Sequence, residues 1–154
     1  MAELSDIYNS KIVELASSIS RAERLSHADA TATQHSKLCG STISVDLAVR
    51  DNIVTDYAQT VKACLLGQAA ASVMAREIIG STVAEVRNVG ITMRAMLKAS
   101  GPAPTGRWAD LAVLEPVRAV KARQASALLV FDAVDAALRM IDEQAVTSGA
   151  RASQ

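Results

Sequence analysis

The chain has 154 residues, half of them apolar and only 3% aromatic, and its 16 basic residues balance 16 acidic ones. This length suits one domain with a real core, which must be built from small and aliphatic side chains. Because the net charge is zero, no long-range field attracts nucleic acid or anionic lipid, and we expect neither as a partner.

The N-terminal residues do not resemble a targeting signal. Glu3 and Asp6 stand where a secretory signal needs a basic start and an apolar stretch. No window reaches the roughly 18 apolar residues that a membrane-spanning helix requires. We therefore expect a cytoplasmic protein whose two cysteines are reduced thiols rather than a structural disulfide.

The first part of the chain predicts one helix followed by three strands. Ser5 can cap an amphipathic helix that runs to about residue 18, with Tyr8, Ile12 and Leu15 at helical spacing. Three segments then alternate with period two and are predicted strands: 28–37, 41–49 and 53–61. Asp51-Asn52 tolerates positive φ and predicts a tight turn between the last two strands.

The remainder predicts helices. Residues 65–79 are apolar on nearly every side, as a buried central helix requires, and Gly80 marks the end of that helix. Thr82 and Glu85 form a capping-box pattern for the next helix. Residues 100–106 predict a surface loop because they contain two prolines and two glycines.

A short helix over 108–114 should end before a break at Pro116, and a long final helix follows, with apolar residues from Leu128 to Ile141. Residues 147–154 are predicted to be a disordered tail. The order of elements keeps strands apart from helices. It predicts an α+β fold, a three-stranded antiparallel sheet with helices packed on one face, in a single domain over 1–146.

The predicted hairpin brings the two cysteines together. With a two-residue turn at 51–52, paired residue numbers sum to 103, so Cys39 is opposite Cys64. Cys39 precedes Gly40 in the first turn of the sheet, and Cys64 begins the buried helix near Lys62. A helix N-terminus and a nearby cation favour the thiolate, which binds metal or attacks sulfur. The alternative, two buried cysteines that act only as small hydrophobic residues, stays open.

Four segments and the order of elements resemble the IscU/NifU type of iron-sulfur cluster scaffold: LSDIY at 4–8, CG at 39–40, VKAC at 61–64 and GQAAAS at 67–72. The resemblance extends over about 4–141. It implies a non-enzymatic scaffold that accepts sulfur from a cysteine desulfurase, assembles a cluster on three cysteines and an acidic residue, and passes it to client apoproteins. Iron or an iron-sulfur cluster is the implied cargo, ahead of the zinc that a related branch binds.

The resemblance carries over an incomplete ligand set. Cys39 matches the first family cysteine and Cys64 the second. Ser41 stands where the family has an aspartate, Ala125 where it has its third cysteine, and Gln124 where a histidine often precedes that cysteine. Two expected ligands are therefore absent.

Several other residues belong near this predicted site or were weighed as replacements. The site-adjacent residues are Gly40, Ser41, Lys62, Arg123 and Gln124. His35, Asp46 and Asp56 lie too far along their strands to share a metal with the cysteines, and His27 is interpreted as a surface residue. A complete shell therefore needs a second subunit, as in a homodimer with two cysteines from each chain, or outside thiols.

Two other functions remain open from the sequence. Neighbouring thiols without a full ligand set can cycle between dithiol and disulfide, which would make a thiol redox or sulfur-relay protein. A scaffold whose site has decayed would be retained only as a partner-binding module. His35, Ser36 and Asp46 supply the residue types of a hydrolase triad without its framing motif, so we expect no such activity.

Overall fold

The computed structural model describes residues 10–18, 23–37 and 40–152, with side chains described as far as Gln144. Cys39 and the predicted start of the first helix, Ser5 to Tyr8, lie outside these residues. The described elements are α1 (Ser10–Ser17), β1 (Ala30–His35), β2 (Thr42–Arg50), β3 (Ile53–Lys62), α2 (Leu65–Glu77), α3 (Val83–Lys98), a 3-10 helical segment (Gly106–Ala119) and α4 (Lys121–Ala152). The α+β prediction is confirmed, since β1, β2 and β3 form one antiparallel meander in that order.

The β2–β3 hairpin turns where the sequence predicts. Asp51 and Asn52 adopt φ values of +53° and +63°, as a tight two-residue turn between twisted strands requires. Beside the turn Val49 is opposite Val54, but the register shifts between Ala48 and Val49, and Ala48 is opposite Asp56. The predicted register is therefore wrong by one residue beyond this β-bulge, an insertion that no sequence signal marked.

One face of the sheet is buried under helices. Along β2 the side chains of Ile43, Val45 and Leu47 are almost fully buried, in keeping with the predicted alternation. Helices α2 and α4 both pack against the sheet and against each other. Nearly every position of α2 from Leu66 to Ala75 is buried, which confirms it as the central helix.

A buried polar network joins the sheet to α2. The Tyr57 hydroxyl donates to Gln59 Oε1 at 2.7 Å, and Gln59 Nε2 donates to the carbonyl of Ala71 at 3.1 Å. Burial raises the pKa of Tyr57, so the hydroxyl stays protonated and remains a donor. Each polar group named here has a partner, as burial demands.

The ends of α2 and α3 follow the predicted signals. Helix α2 stops at Glu77, two residues before the predicted end, and Gly80 adopts φ of +89° just beyond it. Thr82 caps α3, since its side chain accepts a hydrogen bond from the backbone N–H of Glu85. Ile12 and Leu15 are buried on one side of α1, in agreement with the predicted amphipathic helix.

The chain after α3 differs from the prediction in two places. The 3-10 segment continues through Pro116 and ends at Ala119, so the predicted break at Pro116 is wrong. The fixed φ of proline lies within the 3-10 range, which allows the segment to continue through it. Helix α4 is carried to Ala152, whereas disorder was predicted from Thr147, and no proline interrupts this stretch. Within the described residues no helix combines the length and apolar character that crossing a membrane requires.

Candidate functional site

The first turn of the sheet and the start of α2 lie at the same end of the molecule. Thr42, the first residue of β2, is opposite Lys62, the last residue of β3. Two backbone bonds close the β1–β2 turn: Ser36 N–H donates to the Ser41 carbonyl at 2.8 Å, and Gly40 N–H to the Ser36 carbonyl at 2.9 Å. Since His35, the last residue of β1, is also opposite Thr42, the β1–β2 turn lies at the sheet end from which β3 leads into α2.

Gly40 has a conformation that favours glycine. Its φ is +70°, in the left-handed region, and the residue is exposed. The sequence predicts a turn at Cys39-Gly40, and the positive φ of Gly40 is typical of a turn. Cys39 itself is outside the described residues, so its pairing with Cys64 stays a prediction.

Cys64 occupies the N-cap position of α2. Its backbone is extended, its carbonyl accepts a hydrogen bond from Gln68 N–H at 2.9 Å, and its thiol makes no capping bond. The side chain is a free thiol, partly exposed and packed along the edge of the core. It is therefore not sealed among apolar side chains, and it faces the positive end of the helix dipole. Lys62, two residues earlier, is exposed.

Gly67 allows the second turn of α4 to pack against the first turn of α2. A Cβ built on Gly67 would lie 2.8 Å from the Ala63 Cβ and 3.2 Å from the Ser126 carbonyl oxygen. Only glycine allows the two backbones to approach this closely. The close approach sets the neighbourhood of Ala125, where the resemblance places the third family cysteine, against the turn that carries Cys64. The methyl group of Ala125 offers no metal ligand.

Gln124 is used within the fold. Its side chain is buried, and Nε2 donates to the Leu97 carbonyl at 2.9 Å and to the Arg118 carbonyl at 3.1 Å. It thereby joins the end of α3, the end of the 3-10 segment and the start of α4. The predicted site-adjacent residue Gln124 thus acts as a tie between three elements beside the site. Arg123 is partly exposed, and its backbone N–H donates to the Val120 carbonyl at 3.0 Å.

Two serines flank the Cys39 turn and are buried. Ser41, at the position of the family aspartate, is 4% exposed, and Ser36 is 5% exposed. The Ser36 hydroxyl has no hydrogen-bond partner among the described residues. Sequence reasoning considered Ser36 only for a hydrolase triad. The period-two alternation that buries Ala30 and Ala32 of β1 was the signal that could have placed Ser36 on the same inner face.

Asp46 is held in a structural ion pair and is unavailable to the cysteines. It accepts hydrogen bonds from Arg24 Nε at 2.6 Å, Thr31 Oγ1 at 2.6 Å and Leu25 N–H at 3.1 Å. Burial alone would raise the pKa of Asp46, but the bonds from Arg24 and Thr31 outweigh it and hold the pKa below its usual value. His35 Nδ1 lies 3.0 Å from Thr42 Oγ1 and is exposed, so the three triad candidates do not form a catalytic unit.

The described residues do not supply a metal site by themselves. Across 10–18, 23–37 and 40–152, no three His, Cys, Asp or Glu side chains converge as metal ligands. Cys64 is one soft ligand, whereas zinc and iron-sulfur centres take four. Any metal held by Cys64 therefore needs further ligands from elsewhere.

Comparison with known proteins places the chain in a family. The model of the NifU-like N-terminal domain matches residues 7–128. The chain belongs to the NifU-like N-terminal domain family. The resemblance to the IscU/NifU type drawn from the four sequence segments is confirmed.

Solved structures agree with this assignment. The N-terminal part of a nitrogen-fixing NifU-like protein from Brucella abortus is 55% identical, with 91% of this chain and 97% of that chain covered and a TM-score of 0.89. A putative iron-sulfur cluster assembly scaffold protein for the SUF system from Fervidobacterium islandicum AW-1 is 18% identical, with coverage of 88% and 99% and a TM-score of 0.80. At that identity the likeness shows the fold alone. No match was found among curated proteins.

Proposed function

We propose that this chain is a non-enzymatic, cytoplasmic accessory of iron-sulfur cluster assembly that holds iron, a labile cluster or sulfur through Cys39 and Cys64. The observation that carries the proposal is the position of Cys64, partly exposed at the start of α2, at the sheet end where the Cys39 turn leaves β1. Membership in the NifU-like family and the 55% identical relative support it.

The chemistry of Cys64 suits this cargo. Thiolates are soft ligands for iron and iron-sulfur clusters, and the free N–H groups of a helix start favour negative charge beside them. The exposed ammonium of Lys62 adds positive charge nearby. With Ser41 and Ala125 at two of the family's ligand positions, the two cysteines hold the cargo with fewer bonds than a full shell. We therefore expect a labile complex that gives up its cargo readily.

A second subunit or outside thiols would complete the coordination. Two chains that each contribute Cys39 and Cys64 provide the four ligands that a shared cluster takes. A homodimer should then form only on loading. The proposed partners are a cysteine desulfurase as the sulfur donor and apoproteins as the recipients, as the family resemblance implies.

The main test is anaerobic reconstitution with ferrous iron and sulfide. The wild-type chain should acquire visible charge-transfer absorption, and Cys39→Ser and Cys64→Ser should each lose it. Serine is a good N-cap residue, so Cys64→Ser should fold at least as well as the wild type, and circular dichroism checks this. The double variant binding iron and sulfide at the wild-type level would refute the proposal. Loading with zinc in place of iron compares the two metals, and gel filtration before and after loading reports the dimer.

A gain of function sharpens this test. Ala125→Cys restores a thiol at the position that the resemblance assigns to the third ligand, and Gly67 holds that turn of α4 close to α2. The variant should retain its cluster longer than the wild type against a chelator. Ala136→Cys, with an added thiol three turns farther along the same helix, should not.

The runner-up is a thiol redox or sulfur-relay protein. It is favoured by the incomplete metal-ligand set of the described residues together with two thiols expected at one sheet end. Mild oxidation would then remove two hydrogens from the intact mass without any metal requirement. A chain that neither binds iron nor oxidises in this way would be the remaining alternative, a partner-binding module with a decayed site.

A further inference from the structure

A cavity of about 440 Å³ lies between α3 and α4, and no residue of the candidate cysteine site lines it. Its walls are one face of each helix, and Met74 of α2 lines it as well. This volume falls within the range of roughly 300–1,000 Å³ that is usual for small-molecule sites. The scaffold function proposed above makes no use of this cavity.

Two ion pairs cross between the helices that form the cavity. Arg87 of α3 contacts Asp142 of α4, and Arg94 contacts Asp132, so the helices run antiparallel with one cross-link near each end. The two arginines are seven residues apart, which corresponds to roughly 10 Å along α3. A partner helix, about 10–12 Å wide with its side chains, needs a groove that is open at both ends. Here the two ion pairs cross the groove, so a helix would have to break them, whereas a small molecule fits between them.

Gly90 leaves the α3 wall of the cavity open. Glycine in the middle of a helix lowers stability relative to alanine, so a structural or functional reason for Gly90 is expected. Packing does not supply one, since an added Cβ would lie 3.9 Å from the Phe131 Cβ, an ordinary contact distance. The missing side chain does enlarge the cavity at its wall.

The lining combines an apolar body with guanidinium groups that keep spare hydrogen-bond donors. Val134 and Leu138 are apolar wall residues on α4, and Ile91, at the rim, is 65% exposed. Three guanidinium groups line the cavity, those of Arg87, Arg94 and Arg139, and each is paired with one aspartate, so these pairs leave no net charge. Each guanidinium has five N–H donors, and its ion pair with an aspartate uses only part of them. The remaining donors suit a carboxylate.

We propose that this cavity binds a small organic carboxylate with an apolar chain. The chain lies against Phe131, Val134 and Leu138, and the carboxylate accepts hydrogen bonds from the arginines at the rim. The proposal does not depend on the cysteine site.

The test is titration of the full chain with sodium decanoate, below its micelle concentration, followed by amide chemical shifts. The shifts should saturate and concentrate around Gly90, Ile91 and Phe131. Acetate, which lacks the chain, and decanol, which lacks the charge, should each bind at least about tenfold more weakly. Shifts spread over α1 and the sheet, or no saturation, would overturn the proposal.

Two variants separate the cavity from the rest of the surface. Gly90→Leu fills the cavity and should weaken decanoate binding at least about tenfold. Arg139→Gln changes a side chain that is 74% exposed and should fold normally, so it guards against misfolding of the first variant. It should weaken decanoate but not decanol, while Arg50→Gln, an exposed arginine outside the cavity, should change neither. Gly90→Leu and Arg139→Gln should both load iron like the wild type. If both also bind decanoate with wild-type affinity, the proposed carboxylate site is refuted. Binding of an amphipathic helical peptide in place of decanoate would also contradict it.

Discussion

Replacing Gly67 with alanine should destabilise the protein although the same change usually strengthens a helix. Alanine in a helix interior is favoured over glycine by about 1 kcal/mol. Against this gain, the new methyl would meet the Ala63 Cβ at 2.8 Å and the Ser126 carbonyl oxygen at 3.2 Å. Neither atom is the flexible end of a side chain, so backbone must move, and overpacking of this kind costs about 1–3 kcal/mol. We expect a net loss of up to about 2 kcal/mol in the free energy of unfolding.

Gly90→Ala is the matched control. It is the same substitution in the interior of a neighbouring helix, but its methyl would meet the Phe131 Cβ at 3.9 Å, an ordinary contact. We expect this variant to gain about 0.5–1 kcal/mol. The same glycine-to-alanine substitution is therefore expected to lower the free energy of unfolding at Gly67 and to raise it at Gly90.

Urea unfolding followed by circular dichroism measures both variants. The slope of free energy against urea should stay constant, so that the midpoint reports stability directly. For a chain of this size each kcal/mol corresponds to a shift of roughly 2–4 °C in Tm. A Gly67→Ala variant that gains as much stability as Gly90→Ala would show that the close contacts at Gly67 do not oppose the added methyl group. Anaerobic reconstitution adds a second readout, because the displaced Ala63 segment leads directly into Cys64, and cluster retention should fall in Gly67→Ala but not in Gly90→Ala.

Three further outcomes are expected. Gln124→Ala should cost about 1–3 kcal/mol, since the buried Leu97 carbonyl and the partly buried Arg118 carbonyl lose their donor. Asp46→Asn should lower stability at neutral pH by about 1–3 kcal/mol, because the hydrogen bonds from Arg24 and its neighbours lose their charged acceptor. The pKa of Asp46 is lowered by folding, so its contribution is complete above the unfolded value of about 3.9 and disappears as pH falls through the folded value. The variant should therefore lose less stability than the wild type on acidification below about pH 4. Asn52→Gly should add up to about 1 kcal/mol, because glycine adopts the positive φ of this turn without strain.

The stability of each of these three variants can be measured by urea unfolding, with a control or a contradicting result for each. Gln124→Glu, which has the shape of glutamine without the donor, should be no better than Gln124→Ala, and rescue by glutamate would contradict the assigned bonds. Parallel pH curves for wild type and Asp46→Asn would show that the Asp46 pKa is not lowered by folding. If Asn52→Gly is less stable than the wild type, the asparagine side chain must stabilise the turn. That stabilisation would then exceed the cost of holding a non-glycine residue at positive φ.

Local signals in the sequence accounted for most of the architecture. The Asp51-Asn52 turn, the Thr82 cap and the buried helix α2 were each predicted from residues that lie close together in the chain. The reason is that turns, caps and helical periodicity depend on backbone preferences within one or two turns of chain. The four family-like segments likewise pointed to the correct family from the sequence alone.

Only the tertiary structure determined which distant residues meet. The bulge between Ala48 and Val49 shifts the strand that leads to Cys64, and the amide of Gln124 joins three elements. The sequence treats Gly67 and Gly90 alike, as glycines within helices, yet one meets a neighbouring backbone and the other lines a cavity. Such contacts are set by packing between segments far apart in the chain, where no local preference acts. Elements can thus be predicted from neighbouring residues, whereas sites depend on how the assembled helices and strands fill space.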